Sequence, residues 1–249
     1  FTSATDSHNT AVGYNAGSLI STGTESTLVG SLAGDALTTA IRSVAVGKSA
    51  LTSTTTGNEN VAVGTFALNT NTTGHSNVAV GEEALYTNAT GAQNTAVGYQ
   101  AAYTNTAGEI TAIGYHAAKA NTSGVNITAV GKQALEDNTT GASNTAVGLA
   151  ALADNTTGAS NTSMGVASLR NNTTGGYNVA IGHDALNDNT TASNNVSVGA
   201  NAGDSITTGS SNIQVGAYAL QSNETGAGST AIGHYAGFYS TADTNVFVG

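Results

Sequence analysis

The sequence predicts an all-β chain, a parallel β-solenoid or β-roll of about 15 coils with a 17-residue repeat, running over residues 1–249 as a single array. Three observations carry this. A glycine preceded by Val, Ile or Met recurs fifteen times, from Gly13 to Gly249, at intervals of 17 residues with two intervals of 16. A disordered chain holds no such register. Charged residues make up only 8% of the chain, where about 25% is usual for a domain. No stretch shows helical periodicity of useful length.

The repeat reads Asn-Thr-Ala-Val-Gly-x-x-Ala-Leu-x-x-Asn-Thr-Thr-Gly-x-x. A clean copy runs from Asn144 through the marker Gly148, then Ala151-Leu152 and Asn155-Thr156-Thr157-Gly158. Before each marker, two branched residues flank a small one, as in Thr95-Ala96-Val97. Alternation of period two predicts a short strand, with the branched side expected inward. The marker glycine then makes a turn. Three residues on stands Ala in thirteen of the fourteen complete copies, with Ser168 the exception. The Asn-Thr-Thr-Gly segment is expected to be a second short strand or a turn. A second glycine closes it in most copies, as at Gly57, Gly74, Gly91, Gly108, Gly124 and Gly141. Coils of this kind stack at the ordinary strand spacing of about 4.8 Å.

Irregular copies locate the core and the outer turns. Both 16-residue intervals are expected to lose their residue after the second turn, where Glu109 or Thr244 alone precedes the next strand. Leu usually stands four after the marker and Asn seven after it. Where that Leu becomes Gly17, Gly34 or Gly203, the Asn becomes Ile20, Leu37 or Ile206. One large apolar group leaves and another arrives, so both positions feed one core volume. The Gly237 copy has Ser240 and breaks the rule. Each coil is expected to bury one Val or Ile, one Leu, an Ala and a Thr or Val. That core is thin against a backbone ordering cost of about 1–2 kcal/mol per residue, which favours burial of a further face in an oligomer. The Asn and Thr columns are expected to form hydrogen-bonded ladders.

Composition excludes several classes of function. Without cysteine there are no disulfides, thiolate metal sites or cysteine nucleophiles. Five Lys+Arg against fifteen Asp+Glu gives a net charge of −10, which argues against nucleic acid as a partner. No apolar run approaches the roughly 18–20 residues of a membrane span, so membrane insertion is not expected. His8, His75, His116, His183 and His234 fall in separate coils. Glu82-Glu83 and Glu136-Asp137 sit at variable, outward positions, and a catalytic pair needs a concave site. Asp35 and Asp204 follow the variant glycines, without the calcium-binding nonapeptide pattern. The glycines are periodic turns, and no Gly-Lys-[Ser/Thr] phosphate loop follows a strand. The sequons at Asn71, Asn88, Asn138, Asn155 and Asn172 are products of the repeat and are read as structural ladders. No enzymatic activity, metal or cofactor is expected.

Aromatic residues are few and clustered. Tyr86 and Tyr103 share one column in adjacent coils, and Tyr99 and Tyr115 share another. These four form a candidate glycan-contact surface. The alternative is that tyrosine simply packs well on β-surfaces. A second cluster comprises Tyr218, Tyr235, Phe238 and Tyr239.

The Ala-Val-Gly-x-x-Ala pattern, closed by a later glycine, resembles the head repeats of trimeric autotransporter adhesins (YadA-like). The Asn-Thr-Ala-Val-Gly-Tyr-x-Ala-Leu-x-x-Asn-Thr-Thr-Gly arrays of bacteriophage tail fibres look similar. The resemblance covers essentially the whole chain, although the adhesin repeat is commonly nearer 14 residues. It implies a left-handed β-roll assembled as a homotrimer. It further implies an extracellular fibre or adhesin segment, on a virion tail or a cell surface, that contributes to binding a glycan or receptor. Residues Phe1-Thr2-Ser3-Ala4-Thr5-Asp6 echo Phe238-Tyr239-Ser240-Thr241-Ala242-Asp243, and the chain stops on a marker glycine, so it reads as a segment of a longer fibre. An ice-binding or surface-lattice solenoid, built on the Thr columns at Thr72-Thr73, Thr139-Thr140, Thr156-Thr157, Thr173-Thr174 and Thr190-Thr191, is the alternative from another class. A polysaccharide-degrading tailspike lacks a convergent acid pair.

Overall fold

The computed structural model describes residues 7–249. The in-register reading of residues 1–6 lies outside the described residues. The fold is all-β, a parallel β-solenoid with one strand per 17-residue coil. Two compact units divide the chain, Phe1–Val125 and Asn126–Gly249.

The first unit holds β1 (Thr10–Val12), β2 (Thr27–Val29), β3 (Val44–Val46), β4 (Val61–Val63), β5 (Val78–Val80), β6 (Thr95–Val97) and β7 (Ile110–Ile113). The second holds β8 (Ile127–Val130), β9 (Thr145–Val147), β10 (Thr162–Met164), β11 (Val179–Ile181), β12 (Val196–Val198), β13 (Ile213–Val215), β14 (Thr230–Ile232) and β15 (Val246–Val248). Within each unit, successive strands pair in parallel with repeat positions aligned. Val44 lies against Val61 in the first unit and Thr145 against Thr162 in the second. The Asn-Thr-Thr-Gly segment is a turn, so a second strand per coil is not realised.

The strands face opposite to the expectation. Their middle residue is buried, as at Ala45, Ala62, Ala79, Ala146 and Ala180, each 0% exposed. The flanking Val, Ile and Thr point outward and stay partly or largely exposed. The reason is space. A three-residue strand faces its own turn segment, and that narrow interior already holds the Leu and the next Ala. Ala50 with Leu51, and Ala134 with Leu135, are fully buried there. A methyl is what usually fits opposite them. The core per coil is therefore two alanines, one leucine and the asparagines at each end of the turn, not the branched strand residues.

Two successive turns bend the chain after the strand. The Ala84 N–H donates to the Gly81 carbonyl at 3.3 Å, and the Asn88 N–H to the Leu85 carbonyl at 3.2 Å. They need left-handed backbone two and four residues after the marker, as at Glu83 (φ 57) and Leu85 (φ 52). A third left-handed residue, such as Gln93 (φ 61), precedes the next coil's Asn. Such backbone costs a residue with a side chain about 1–2 kcal/mol. It is held by hydrogen bonds to both neighbouring coils. The Leu85 N–H donates to the Ala101 carbonyl at 3.0 Å, while the Gly81 N–H donates to the Val63 carbonyl at 2.8 Å. At Gly148 (φ +141) the backbone approaches Gly165 so closely that a Cβ would strike its carbonyl oxygen.

The expected ladders are present. Where Asn opens a repeat, it accepts a backbone N–H from the next coil through Oδ1, as Asn161 does from Asn178 at 3.0 Å. Its Nδ2 donates to the glycine-column carbonyl of that coil, here Gly175 at 2.9 Å. The Asn of the turn donates both to its own turn carbonyl and to the preceding Asn. Asn155 reaches the Gly158 carbonyl at 3.0 Å and Asn138 Oδ1 at 2.7 Å. Thr hydroxyls add a third ladder, as Thr156 donates to the Thr173 carbonyl at 3.0 Å.

The compensating substitutions share one volume, as expected. A Cβ on Gly34 would meet Leu37 Cδ1, and one on Gly203 would lie 3.0 Å from Ile206 Cδ1. The exception is resolved by a third position. At Gly237 the space is taken by Phe247, which replaces the inward alanine of β15 and would lie 2.6 Å from a Cβ there. The missing residue of the 16-residue coils is not where it was expected. Asn94 Nδ2 donates to the Ala107 carbonyl at 3.0 Å, whereas the preceding Asn77 reaches Gly91. Ala107, not Gly108, thus occupies the glycine's place, and the Thr-Thr turn has shortened. Ala242 does the same near the end, accepting from Asn245 Nδ2 at 3.2 Å.

Candidate functional site

Two surfaces stand out. The first is the outward side of the strands, which sequence reasoning missed because it turned the branched residues inward. In each unit the residue before every marker glycine is Val, Ile or Met. Val29 is 36% exposed, Met164 43% and Ile232 46%. The other outward position of each strand is Thr, Val or Ile, and neither position carries a charge. In the second unit Leu149 and Val166, each just beyond a marker glycine, are also exposed. The signal that could have revealed this face was the small residue, usually alanine, at the strand centre, which suits so narrow an interior.

The second surface lies on the turns of the first unit. The structure brings the predicted tyrosines together in pairs. Tyr86 and Tyr103 stack at 5.1 Å with planes 10° apart, and Tyr99 and Tyr115 at 5.6 Å and 18°. Phe66 meets Tyr86 edge-on at 6.4 Å, with the Lys48 ammonium 5.7 Å from the Phe66 ring. His116 stacks on Tyr115 at 3.8 Å. Glu83 accepts a 2.7 Å hydrogen bond from Gln100 Nε2. Partial desolvation, then the Glu83 and Glu82 carboxylates, raise the Tyr99 phenol above its ordinary value. Tyr103 is raised likewise, by desolvation and then Glu83. Within each pair each ring covers one face of the other, so a ligand meets the outer faces, ring edges and phenol hydroxyls that remain. The second cluster forms as well, with Tyr218 and Tyr235 stacked at 4.9 Å and Phe238 at 5.2 Å from Tyr235.

The remaining candidates do not converge. Among the described residues, no group of three or more His, Asp or Glu is placed to hold a metal ion. His183 lies 2.8 Å from Asp184, its neighbour in sequence. Glu136 accepts from Gln133 at 2.6 Å. Asp204 has its carboxyl raised by burial first and then by Asp188, against hydrogen bonds from Gln221 and Asn201. The sequon residues Asn71, Asn88, Asn138, Asn155 and Asn172 are all fully buried in the turn ladder. Of the two Thr columns only one is outward, at Thr73, Thr140, Thr157, Thr174 and Thr191. The other spends its hydroxyls on the backbone ladder. No protein-family model matches this chain, and no curated protein matches it.

Proposed function

We propose that the chain is a structural segment of an extracellular fibre or adhesin, on a virion tail or a cell surface. In this reading copies of the chain pack side by side as a parallel homotrimer that displays contact surfaces on its turns. The observation that carries it is the outward strand face: an uncharged face in each unit, with an unbroken apolar column before the marker glycines, in a protein whose net charge is −10. Ribbons of that kind mark association surfaces, and depletion of charge is characteristic of interface centres. The backbone supports the mechanical part, since hydrogen bonds join every coil to the next along each unit. Three parallel copies would present three equivalent turn faces, raising weak contacts to useful avidity.

Light scattering of the intact chain tests the assembly. A mass of three chains supports it, and a mass of one chain sinks it. The tyrosine face is the proposed contact for a cell-surface glycan or receptor. Replacing Tyr86 and Tyr103 together by Ser should abolish binding on a glycan array, and unchanged binding removes that face from the reading. Thermal hysteresis in solution would instead favour an ice-binding solenoid.

A further inference from the structure

The outward ribbon is not uniform. In the first unit β3, β4 and β5 present Val at both outward positions, namely Val44 and Val46, Val61 and Val63, Val78 and Val80. The flanking β1, β2, β6 and β7 present Thr at one position and Val or Ile at the other. The second unit repeats the arrangement. In β11, β12 and β13 both outward residues are Val or Ile, from Val179 to Val215, whereas β8, β9, β10 and β14 carry Thr; past β14 the single strand β15 is again doubly apolar, with Val246 and Val248. Thr and Val have nearly the same shape, so the blocks differ from their flanks in chemistry alone. A Thr hydroxyl stays hydrated at little cost, while a doubly apolar strand gains only by leaving water.

We infer that these two blocks, Val44–Val80 and Val179–Val215, are the anchors at which copies of the chain pack in parallel and in register, each block against the same block of the next copy. This rests on the reading of the chain as a self-associating segment and adds its alignment. Uniform ribbons slide, because each one-coil shift of about 4.8 Å restores the same contacts. A three-strand block does not. A shift of one coil replaces Val–Val by Val–Thr contacts at both ends of the block, and a shift of three coils removes the block contact altogether. Hot spots of this kind concentrate binding free energy in a few buried side chains. The occupant is a second copy because only a partner with the same coil spacing matches every outward residue of a block at once.

Because the chain has no cysteine, single-cysteine variants report the alignment directly. Val61→Cys and Val196→Cys in the full chain, mildly oxidised, should each give a disulfide-linked species between copies on a non-reducing gel. Thr73→Cys, on the exposed Thr column, should give none. Failure of both Val variants to cross-link in a wild-type assembly overturns the alignment, as does cross-linking only when the two variants are mixed. The triple variant Val44→Thr, Val61→Thr and Val78→Thr should lower the association constant at least tenfold. The flank variant Val12→Thr, Val29→Thr and Val97→Thr should lower it less than threefold. Equal effects from the two triples refute the anchors. A wild-type mass of one chain refutes instead the self-association on which the inference rests, so the two failures are distinguishable.

Discussion

Asn161→Ala tests the buried asparagine ladder. Asn161 is 1% exposed, and its side chain serves two groups of the following coil. Oδ1 accepts from the Asn178 N–H at 3.0 Å, and Nδ2 donates to the Gly175 carbonyl at 2.9 Å. The two losses are unequal. The Asn178 N–H is left without a partner in a closed interior, which costs about 1–3 kcal/mol. The Gly175 carbonyl still accepts from Asn172 at 3.0 Å, so its loss is that of one ordinary hydrogen bond, about 0.5–1.5 kcal/mol. The vacated amide volume adds on the order of 1 kcal/mol. The expected total is roughly 3–5 kcal/mol. Asn161→Ser is the internal control. Serine occupies this column at Ser26 and Ser43, where Ser26 Oγ accepts the Ser43 N–H at 3.2 Å and Ser43 Oγ the Asn60 N–H at 3.4 Å. It keeps the acceptor and loses only the donor, so it should cost about half as much. Equilibrium urea denaturation followed by far-ultraviolet circular dichroism measures both. If the two variants fall within about 0.5 kcal/mol of each other, the acceptor role of Oδ1 is refuted.

Three further outcomes follow from the same geometry. Gly148→Ala puts a methyl against the Gly165 carbonyl on a backbone at φ +141, and should cost about 3 kcal/mol or more; an unchanged denaturation midpoint would refute the close approach. Gly203→Leu and Ile206→Asn should each destabilise alone, by about 2 kcal/mol or more, yet nearly cancel together. The pair restores the common core arrangement, and the new amide supplies the donor that buried Asn189 Oδ1 lacks; additive losses in a double-mutant cycle would exclude the shared volume. Asp204→Asn should raise the melting temperature modestly at pH 7 and leave it unchanged near pH 3. The folded state binds this proton more tightly than the unfolded state, so stability is lost as pH rises from the unfolded value of 3.8 through the raised folded value. A larger benefit at pH 3 than at pH 7 contradicts that sign.

Much of the fold was legible because the repeat is its own alignment. Marker glycines placed the strands, and the Leu-to-Gly exchanges located a shared core volume before any coordinates. Parity was not legible. A period-two strand has two sides, and a one-residue slip exchanges them. Branched residues normally fill β-interiors, whereas this interior mostly takes the methyl of residues such as Ala62 and Ala79. The position of the deletion was hidden for a related reason. Gly108 could be aligned with either of two columns, and it takes the amides of Asn94 and Asn105 to show that Ala107 stands in the glycine's place. The tyrosine columns were legible as pairs, but not the covering of one ring by the next, which follows from side chains projecting in parallel at the coil spacing. The Val blocks went unread because those residues had been assigned to the core.

The two sides of the strand also differ in how much variety they accept, and the difference runs against ordinary expectation. The inward column is usually Ala but tolerates Leu28, Ser163, Ser197, Gln214 and Phe247. Several find a local accommodation. Leu28 fills space beside Gly17 and Gly34, Phe247 fills it beside Gly237, and the Ser163 hydroxyl bonds the Ser168 carbonyl at 2.8 Å. The outward column before the marker glycine accepts only Val, Ile and Met over all fifteen strands. A side chain facing only water needs no such uniformity, since polar residues there would serve solubility better. Nor does turn formation demand it, because the left-handed residues that shape the turns lie elsewhere in the coil and vary freely, from Glu83 to Tyr235. Uniform apolar character on the outside, with variety on the inside, is what the proposed packing of copies side by side requires of that column.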